Sequence, residues 1–172
     1  MRYCHQDLDM EVAILSTDGI NKNIDITISS MSKFSKNYEY FVVMPKCLKN
    51  GEYKHPLIIA QDTITEMFNE GMKRLKKPWI YFVFAGSKMR KNIDSKLSAY
   101  ITTKKDVLFP VVDRVWNFVD GSMNGIIISK DLIEETGHFI SGNDLEFTKL
   151  EWADRAINKG AKFKGIVNSL NF

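Results

Sequence analysis

The run Trp79 to Phe84 (WIYFVF) constrains the fold most, because it presents apolar side chains to both faces of a strand. A strand that is apolar on both faces must be covered on both sides, as in the centre of a parallel sheet. Pro78 precedes the run and prevents a helix from entering it. Apolar residues recur at helical spacing over 24–34 and 64–75. The sequence therefore predicts a central strand at 79–84 covered by helices.

Predicted strands and helices alternate along the whole chain in the order β-α-β-β-α-β-α-β, with a more mixed last third. The other predicted strands are Glu11–Thr17, Tyr38–Met44, Leu57–Ala60, Val107–Val112, Gly125–Ser129 and Ala161–Val167. Further predicted helices cover 93–100, 130–135 and 150–157. Pro110 favours an edge or bulged position for its strand. We expect one three-layer α/β/α domain over 1–172 with a mainly parallel sheet, after an irregular lead-in at 1–10.

The loops at the carboxyl ends of the strands are where an α/β sheet of this kind binds ligands. In this chain they are Ser16–Gly19, Met44–Lys46 and Ala85–Arg90, the last predicted as a loop. Small residues in these segments let a ligand approach the backbone closely. Since parallel strands present their carboxyl ends on one edge, we expect 16–19 and 85–90 to face one crevice.

Composition argues against several classes of function. The chain has 24 Lys and Arg against 21 Asp and Glu, and this net charge of +3 is too small and too dispersed to imply a nucleic-acid partner. Cys4 and Cys47 do not form a disulfide framework, which favours a cytoplasmic protein with reduced thiols. Acidic residues at 7, 9 and 11 argue against a signal peptide, and no apolar run is long enough to span a membrane. The three histidines lack metal-ligand spacing.

Four pieces of the sequence occur in an order typical of a known enzyme family. They are VAILSTDG, FNEGMKRLKKPWIYFVFAG, GSMNGIIISKDLIEETGHF and LEWADRAINKGAKFKGI. Asn69 and Gly71 match an Asn-x-Gly pair, and Arg155 and Gly160 match the Arg and Gly of a closing helix. From about residue 11 to 167 the chain resembles the glycosyltransferases of the A-type fold, family 2-like. The resemblance implies a Rossmann-like fold, a nucleotide-sugar donor, and a glycan or other hydroxyl acceptor.

The acidic motifs of that family are missing from this chain. Met44 stands where the family has an Asp that holds the nucleoside, and Ala85-Gly86-Ser87 replaces the Asp-x-Asp that holds a divalent metal on the sugar diphosphate. Thr148-Lys149 replaces the Glu-Asp pair that supplies the catalytic base. We therefore expect no divalent metal at the usual site, and we assign no cofactor.

Candidate residues for nucleotide-sugar binding follow the first and central strands. Ser16, Thr17 and Asp18 stand at the end of the first strand, and Asp18 could accept a hydrogen bond from a ribose or base. Lys88 and Arg90 follow the central strand, where fixed cations could take the place of the metal on the diphosphate. The simpler interpretation is a turn residue at Asp18 and a solvated loop carrying two ordinary basic side chains.

Candidate residues for acid–base work and for the acceptor lie in the last third. Glu146 and Asp144 are candidate general bases, although Asp144 also suits the N-cap of the last helix and Glu146 its first turn. On the acceptor side, Trp116 could stack on a sugar, and Asp120 and Asn124 lie in the segment FVDGSMNG. Asp120-Gly is also an ordinary turn signal, and Trp116 also suits a packing role.

Two functions remain open from the sequence. The first is a glycosyltransferase-like enzyme that uses a nucleotide sugar without the standard metal site. The second is a catalytically degenerate module that recognises a nucleotide sugar, a glycan or a protein. A nucleotidyltransferase on a related fold is a weaker third, because the Gly-rich loop expected after its first strand is absent.

Overall fold

The computed structural model describes residues 8–49, 52–111, 118, 122–142, 144–167 and 170–171. The strands are β1 (Met10–Leu15), β2 (Glu39–Pro45), β3 (Leu57–Ala60), β4 (Trp79–Phe84), β5 (Lys88–Met89), β6 (Asp106–Val111), β7 (Ile127–Ser129), β8 (Lys162–Val167) and β9 (Leu170–Asn171). The helices are α1 (Asn21–Ser30), α2 (Ile64–Arg74), α3 (Ile93–Tyr100), α4 (Lys130–Thr136) and α5 (Leu145–Asn158). Single 3₁₀ turns occupy Met31–Lys33 and Lys46–Leu48. Most of the predicted lead-in, residues 1–7, lies outside the described residues.

The main sheet has seven strands in the order β3-β2-β1-β4-β7-β6-β8. β1 runs parallel to β2 and β4, β2 to β3, and β6 to β8. β7 is antiparallel to both of its neighbours. β4 lies in the middle of this order, which confirms both the central strand and the mainly parallel sheet. β5 and β9 form a separate antiparallel ribbon.

Two apolar layers cover the sheet, one on each face. Ile80 and Phe82 of β4 pack in a cluster with side chains from α2, α4 and α5. Tyr81 and Val83 point to the other face and pack with side chains from α1 and α3. Each fully buried side chain of this kind contributes about 1.5–3 kcal/mol relative to exposure. The alternation along β4 therefore produces the predicted three-layer α/β/α arrangement.

Helix α2 approaches β4 closely because Gly71 has no side chain. A Cβ built on Gly71 would lie 2.6 Å from Cε1 of Phe82, which is fully buried. That separation is far inside van der Waals contact, so any larger residue would displace the ring or the helix. Close packing thus accounts for the Gly of the Asn-x-Gly pair.

Two local predictions about strands are wrong. The segment Ala85–Arg90 is not a loop throughout, because β5 forms within it and pairs with β9 far along the chain. The strand that contains Pro110 is not an edge strand, since β6 lies between β7 and β8. Its pairing with β7 involves Leu108 and Ile127, so the missing N–H of Pro110 interrupts no ladder bond there.

Helix α5 begins earlier and faces the core differently than predicted. It starts at Leu145, and its buried residues are Thr148, Lys149, Trp152, Ala153 and Ala156. Leu150 and Ile157, which the periodicity placed on the core face, are 55% and 57% exposed. Across the described part of the chain, no helix combines the length and apolar character needed to cross a lipid bilayer.

Candidate functional site

Three turns meet at the carboxyl ends of β1, β2 and β4. Ala85 N donates to Leu15 O at 2.9 Å, and Ser16 N donates to Val43 O at 2.9 Å, which ties the three strand ends together. Gly19 has a positive φ of 68°, and a Cβ there would lie 3.3 Å from Cβ of Leu48. The turn after β1 therefore packs on the turn after β2. This is the crevice position expected from the sheet topology.

The hydroxyl of Ser16 lies fully buried at the end of β1. Ser16 is 0% exposed, and its Oγ has no hydrogen-bond partner among the described residues. A buried hydroxyl without a partner costs free energy, about 1–3 kcal/mol. Thr17, which follows it, is exposed. Among the described residues, the strand end thus carries a buried hydroxyl without a partner and an exposed hydroxyl directly after it.

Asp18 organises the turn that leads into α1. Its Oδ1 accepts from Ile20 N at 2.9 Å, and its Oδ2 accepts from Asn23 Nδ2 at 2.6 Å. Both carboxylate oxygens therefore have one partner each and keep lone pairs for a second. Asp18 thus has the turn role, and its side chain remains exposed.

The turn after β4 is held by the side chain of Thr27 on α1. Gly86 N donates to Asn23 O at 2.9 Å and to Thr27 Oγ1 at 3.0 Å, while Thr27 Oγ1 donates to Ser87 O at 2.9 Å. Gly86 adopts φ of 95°, a conformation that favours glycine. The small residues at 85–87 therefore form a backbone turn held by α1.

Asn124 fixes the end of β4 from the opposite side. Its Oδ1 accepts from Phe84 N at 2.9 Å, and its Nδ2 donates to Ser87 Oγ at 2.9 Å. The side chain is 5% exposed and buried beside the strand end. Asn124, which the sequence predicts on the acceptor side, thus contacts the backbone at the end of β4 and positions it. The other two, Trp116 and Asp120, lie outside the described residues.

The predicted cations Lys88 and Arg90 are both exposed. Lys88 belongs to β5 and lies along the outer side of α1, where it lines an open groove with Lys22 and Lys33. Arg90 follows β5 directly. The turn at 85–87 leads straight into this basic segment.

A carboxylate that the sequence pattern did not single out lies beside the end of β2. Asp62 follows β3, and its Oδ1 accepts from Cys47 N at 2.9 Å. This N–H holds the pKa of the Asp62 carboxyl below its ordinary value. Met44, at the position of the family's nucleoside-binding Asp, is fully buried. A search of the sequence for local motifs misses Asp62, because the neighbouring strand supplies it.

The candidate bases lie in the first turn of α5. Asp144 Oδ1 accepts from Glu146 N at 3.0 Å and Phe147 N at 3.3 Å, so Asp144 is the N-cap. Glu146 is 65% exposed, and its Oε2 lies 2.8 Å from Nζ of Lys149, whose side chain is 3% exposed. A buried ammonium therefore lies beside Glu146 and holds its carboxylate.

Side chains from α2 and α5 clamp the segment Thr136–Phe139. Its successive carbonyl oxygens accept from Arg155, Trp152, Arg155 and Asn69, with Trp152 Nε1 to Gly137 O at 3.0 Å and Asn69 Nδ2 to Phe139 O at 2.9 Å. Asn69 Oδ1 also accepts from Phe139 N at 2.9 Å. The sequence singled out Asn69 and Arg155 as motif residues but gave no contact for either.

His138 belongs to the clamped segment and is exposed. Partial burial of its ring lowers the pKa of His138, and the positive charge of Lys73 lowers it further. The carboxylates of Glu70 and Glu66 raise this pKa but do not outweigh the other two effects. Within the described ranges, no three or more His, Cys, Asp or Glu side chains are grouped to hold a metal ion.

Comparison with known proteins identifies the fold. No protein-family profile and no curated protein sequence matches the chain. The crystal structure of Staphylococcus aureus TarS 1–349 in complex with UDP-GlcNAc matches with a TM-score of 0.65 and 15% identity over 94% of this chain and 56% of that one. The complex of the same fragment with UDP gives 0.62 and 16% over 94% and 58%.

A mannosyltransferase from Pyrobaculum calidifontis, PcManGT, in complex with GDP-Man and Mn²⁺, gives a TM-score of 0.61 and 11% identity over 92% of this chain and 56% of that one. The chain thus spans little more than half the length of these proteins. At such low identities the likeness establishes architecture, and the chain has the glycosyltransferase-like α/β fold.

Proposed function

We propose that this protein is glycosyltransferase-like and binds a nucleotide sugar in the crevice between the ends of β1, β2 and β4. The observation that carries the proposal is the convergence of three turns at the ends of β1, β2 and β4. The turns after β1 and β4 are built of small residues, and the buried hydroxyl of Ser16 at this point has no partner among the described residues. The fold is shared with proteins solved with UDP, UDP-GlcNAc and GDP-Man. A soluble cytoplasmic setting, inferred from the sequence, belongs to the same proposal.

The donor's nucleoside lies, in this proposal, against the turns after β1 and β2. Ser16, Thr17 and Asp18 contact it from the first strand. Asp62 supplies from β3 the carboxylate that β2 lacks, because its position at Cys47 N places it at the end of β2. A carboxylate there accepts hydrogen bonds from a base N–H or a ribose hydroxyl.

The diphosphate of the donor requires positive charge, because negative charge grows on it as the bond to the sugar breaks. No carboxylate occupies 85–87 to hold a divalent ion. We assign this role to Lys88 and Arg90, which follow the turn. The small side chains of the turn let the phosphates approach, while its backbone N–H groups already donate within the chain.

The acceptor's hydroxyl must lose a proton when it attacks the sugar. Glu146 is the first candidate base, because it is exposed and its carboxylate is held by the ammonium of Lys149. Asp144 is the second, although its Oδ1 is occupied as the N-cap of α5. Trp116, Asp120 and Asn124 remain our proposed acceptor-side residues, with Asn124 acting through the end of β4.

A degenerate binding module is the second candidate function. The pairing of Glu146 with a buried lysine favours it, because the Oε2 that faces the Lys149 ammonium is already engaged within the chain. This reading predicts nucleotide-sugar binding without transfer to any acceptor.

Melting temperatures measured with UDP, UDP-GlcNAc and GDP-Man, each with and without Mn²⁺, test the proposal. A ligand at about 100 times its Kd adds roughly 2.7 kcal/mol, or about 5–10 °C for a domain of this size. The shift should not require Mn²⁺. If none of the ligands shifts the melting temperature, the nucleotide role is wrong. If one of them does, transfer and hydrolysis assays separate the active enzyme from the degenerate binding module.

The variant Lys88→Ala/Arg90→Ala tests the proposed phosphate contacts. Each lost charged contact should weaken binding by about 1.5–3 kcal/mol. The matched control is Lys76→Ala/Lys162→Ala, which removes two exposed cations on other surfaces of the chain. Equal affinity of the two double variants would contradict the assignment of Lys88 and Arg90.

A further inference from the structure

An open groove of about 630 Å³ runs along the outer side of α1, next to β5. Apart from Lys88, which is also assigned to the donor diphosphate, its lining residues belong to neither the strand-end crevice nor the acceptor-side segment. Its lining exposes more apolar than polar surface, and three lysines and one aspartate stand on it. The residues that matter here are Lys22, Asp25, Ile26, Ser29, Lys33 and Lys88.

The charges of the groove are unevenly compensated. Among the described residues, Lys22, Lys33 and Lys88 have no carboxylate partner, whereas Asp25 Oδ1 lies 3.1 Å from Nε2 of His55. Lys22 lies in the first turn of α1 and Lys33 in the 3₁₀ turn that follows the helix, so the two are roughly 16–18 Å apart at about 1.5–2 Å per residue. The groove therefore attracts anions at points that are well separated.

The groups between the lysines decide which anion fits. Asp25 and Ser29 offer hydrogen bonds to hydroxyl groups, and the carboxylate of Asp25 repels a ligand that carries negative charge at every unit. Among the described residues, no aromatic side chain lines the groove, which disfavours single-stranded nucleic acid, because its bases bind by stacking. A chain of neutral sugars with spaced anionic groups satisfies both conditions.

We infer that the groove of Lys22, Asp25, Ser29, Lys33 and Lys88 binds an anionic glycan whose carboxylate or phosphate groups are separated by neutral sugars. The groove starts beside Asn23, whose carbonyl oxygen accepts from Gly86 N at 2.9 Å in the turn after β4. A glycan held there lies at the rim of the crevice. Binding in the groove does not require a bound nucleotide.

Fluorescence anisotropy at low ionic strength tests the inference with labelled hyaluronan hexasaccharide, which carries carboxylates, and a sparsely phosphorylated dextran fragment. Maltohexaose is the neutral probe and a thymidine hexanucleotide the nucleic-acid probe. The variant is Lys22→Gln/Lys33→Gln, and the control Lys76→Gln/Lys162→Gln removes the same charge from other exposed positions. Lys88 stays unchanged, because it also belongs to the proposed nucleotide site.

At least one anionic glycan should bind the parent, and the groove variant should bind it roughly tenfold more weakly. The control should stay within about twofold, as expected for exposed charges outside a site. Equal weakening by the control, equal binding of maltohexaose, or tighter binding of the hexanucleotide would overturn the inference. Melting temperatures of both variants, with and without UDP, show that folding and the nucleotide site are intact. Loss of glycan binding and loss of the UDP response are therefore separate outcomes.

Discussion

Replacement of Asn69 by Ala should strongly destabilise the protein, because its amide joins α2 to the segment before α5. The amide exchanges two hydrogen bonds of 2.9 Å with the backbone N–H and C=O of Phe139. Asn69 is 4% exposed and Phe139 is also 4% exposed. Truncation leaves both backbone groups buried, in a space that is too apolar to hydrate them well.

The magnitude follows from the two orphaned groups. A buried donor or acceptor left without a partner costs about 1–3 kcal/mol, so the pair costs roughly 2–5 kcal/mol. A domain of this size has a total unfolding free energy of about 5–15 kcal/mol. The variant should therefore lose a large share of its stability, and its melting temperature should fall by about 5–15 °C.

Urea unfolding of Asn69→Ala, Asn69→Asp and Asn158→Ala provides the assay. The Asp of Asn69→Asp keeps an acceptor for Phe139 N but cannot donate to Phe139 O when it is ionised. Its loss of stability should therefore be comparable to that of Asn69→Ala at neutral pH and smaller in acid. Asn158 is the control, since it is an exposed residue of α5 whose amide makes only a 3.4 Å contact with Asp154. If Asn69→Ala unfolds within about 0.5 kcal/mol of the parent, the clamp does not carry the stability argued for it.

Three further predictions concern packing, pH and turnover. Gly71→Ala should lower the free energy of unfolding in urea by about 1–3 kcal/mol, because its Cβ meets Phe82. Gly142→Ala, whose Cβ would have contacts of 4.0 Å, should leave it nearly unchanged. Equal effects of the two variants would contradict the close approach of α2. Burial disfavours the charge of Asp106, but hydrogen bonds led by that from Lys164 outweigh it and lower the pKa of its carboxyl. The stability that Asp106 contributes is therefore present above about pH 4 and is lost as pH falls through the folded-state pKa. In Asp106→Asn, the free energy of unfolding should depend less on pH in this acidic range. If the protein transfers sugar, Glu146→Gln should lower turnover by about 10²–10⁴-fold with an unchanged UDP melting shift, and full activity would place the base elsewhere.

The elements that the sequence predicts best are those whose burial depends on local pattern. The bounds of β4 match the prediction because a doubly apolar run after Pro78 fits only a central strand. The phase of α5 does not match, since Leu150 and Ile157 are apolar but exposed, while Lys149 is buried and its Nζ lies 2.8 Å from Glu146 Oε2. Periodicity counts apolar residues and cannot detect a buried charge.

The candidate site, like the fold, was predictable from the sequence only in part. The meeting of the turns after β1 and β4 follows from parallel pairing and was predictable. Asn124, Asp62 and the clamp of Asn69 were not, because their partners lie far away in sequence. The bond from Asn69 to Phe139, for example, joins residues 70 positions apart. No local motif encodes such a pair.

The clamp on Thr136–Phe139 acts on main-chain atoms alone. Arg155, Trp152 and Asn69 grip carbonyl oxygens, which every residue type possesses. The backbone path is therefore fixed independently of the side chain at position 138. Because His138 is exposed, its replacement alters the chemistry of this surface without moving the chain that carries it. Substitution at position 138, in evolution or by design, can thus change what this surface recognises while the backbone stays the same.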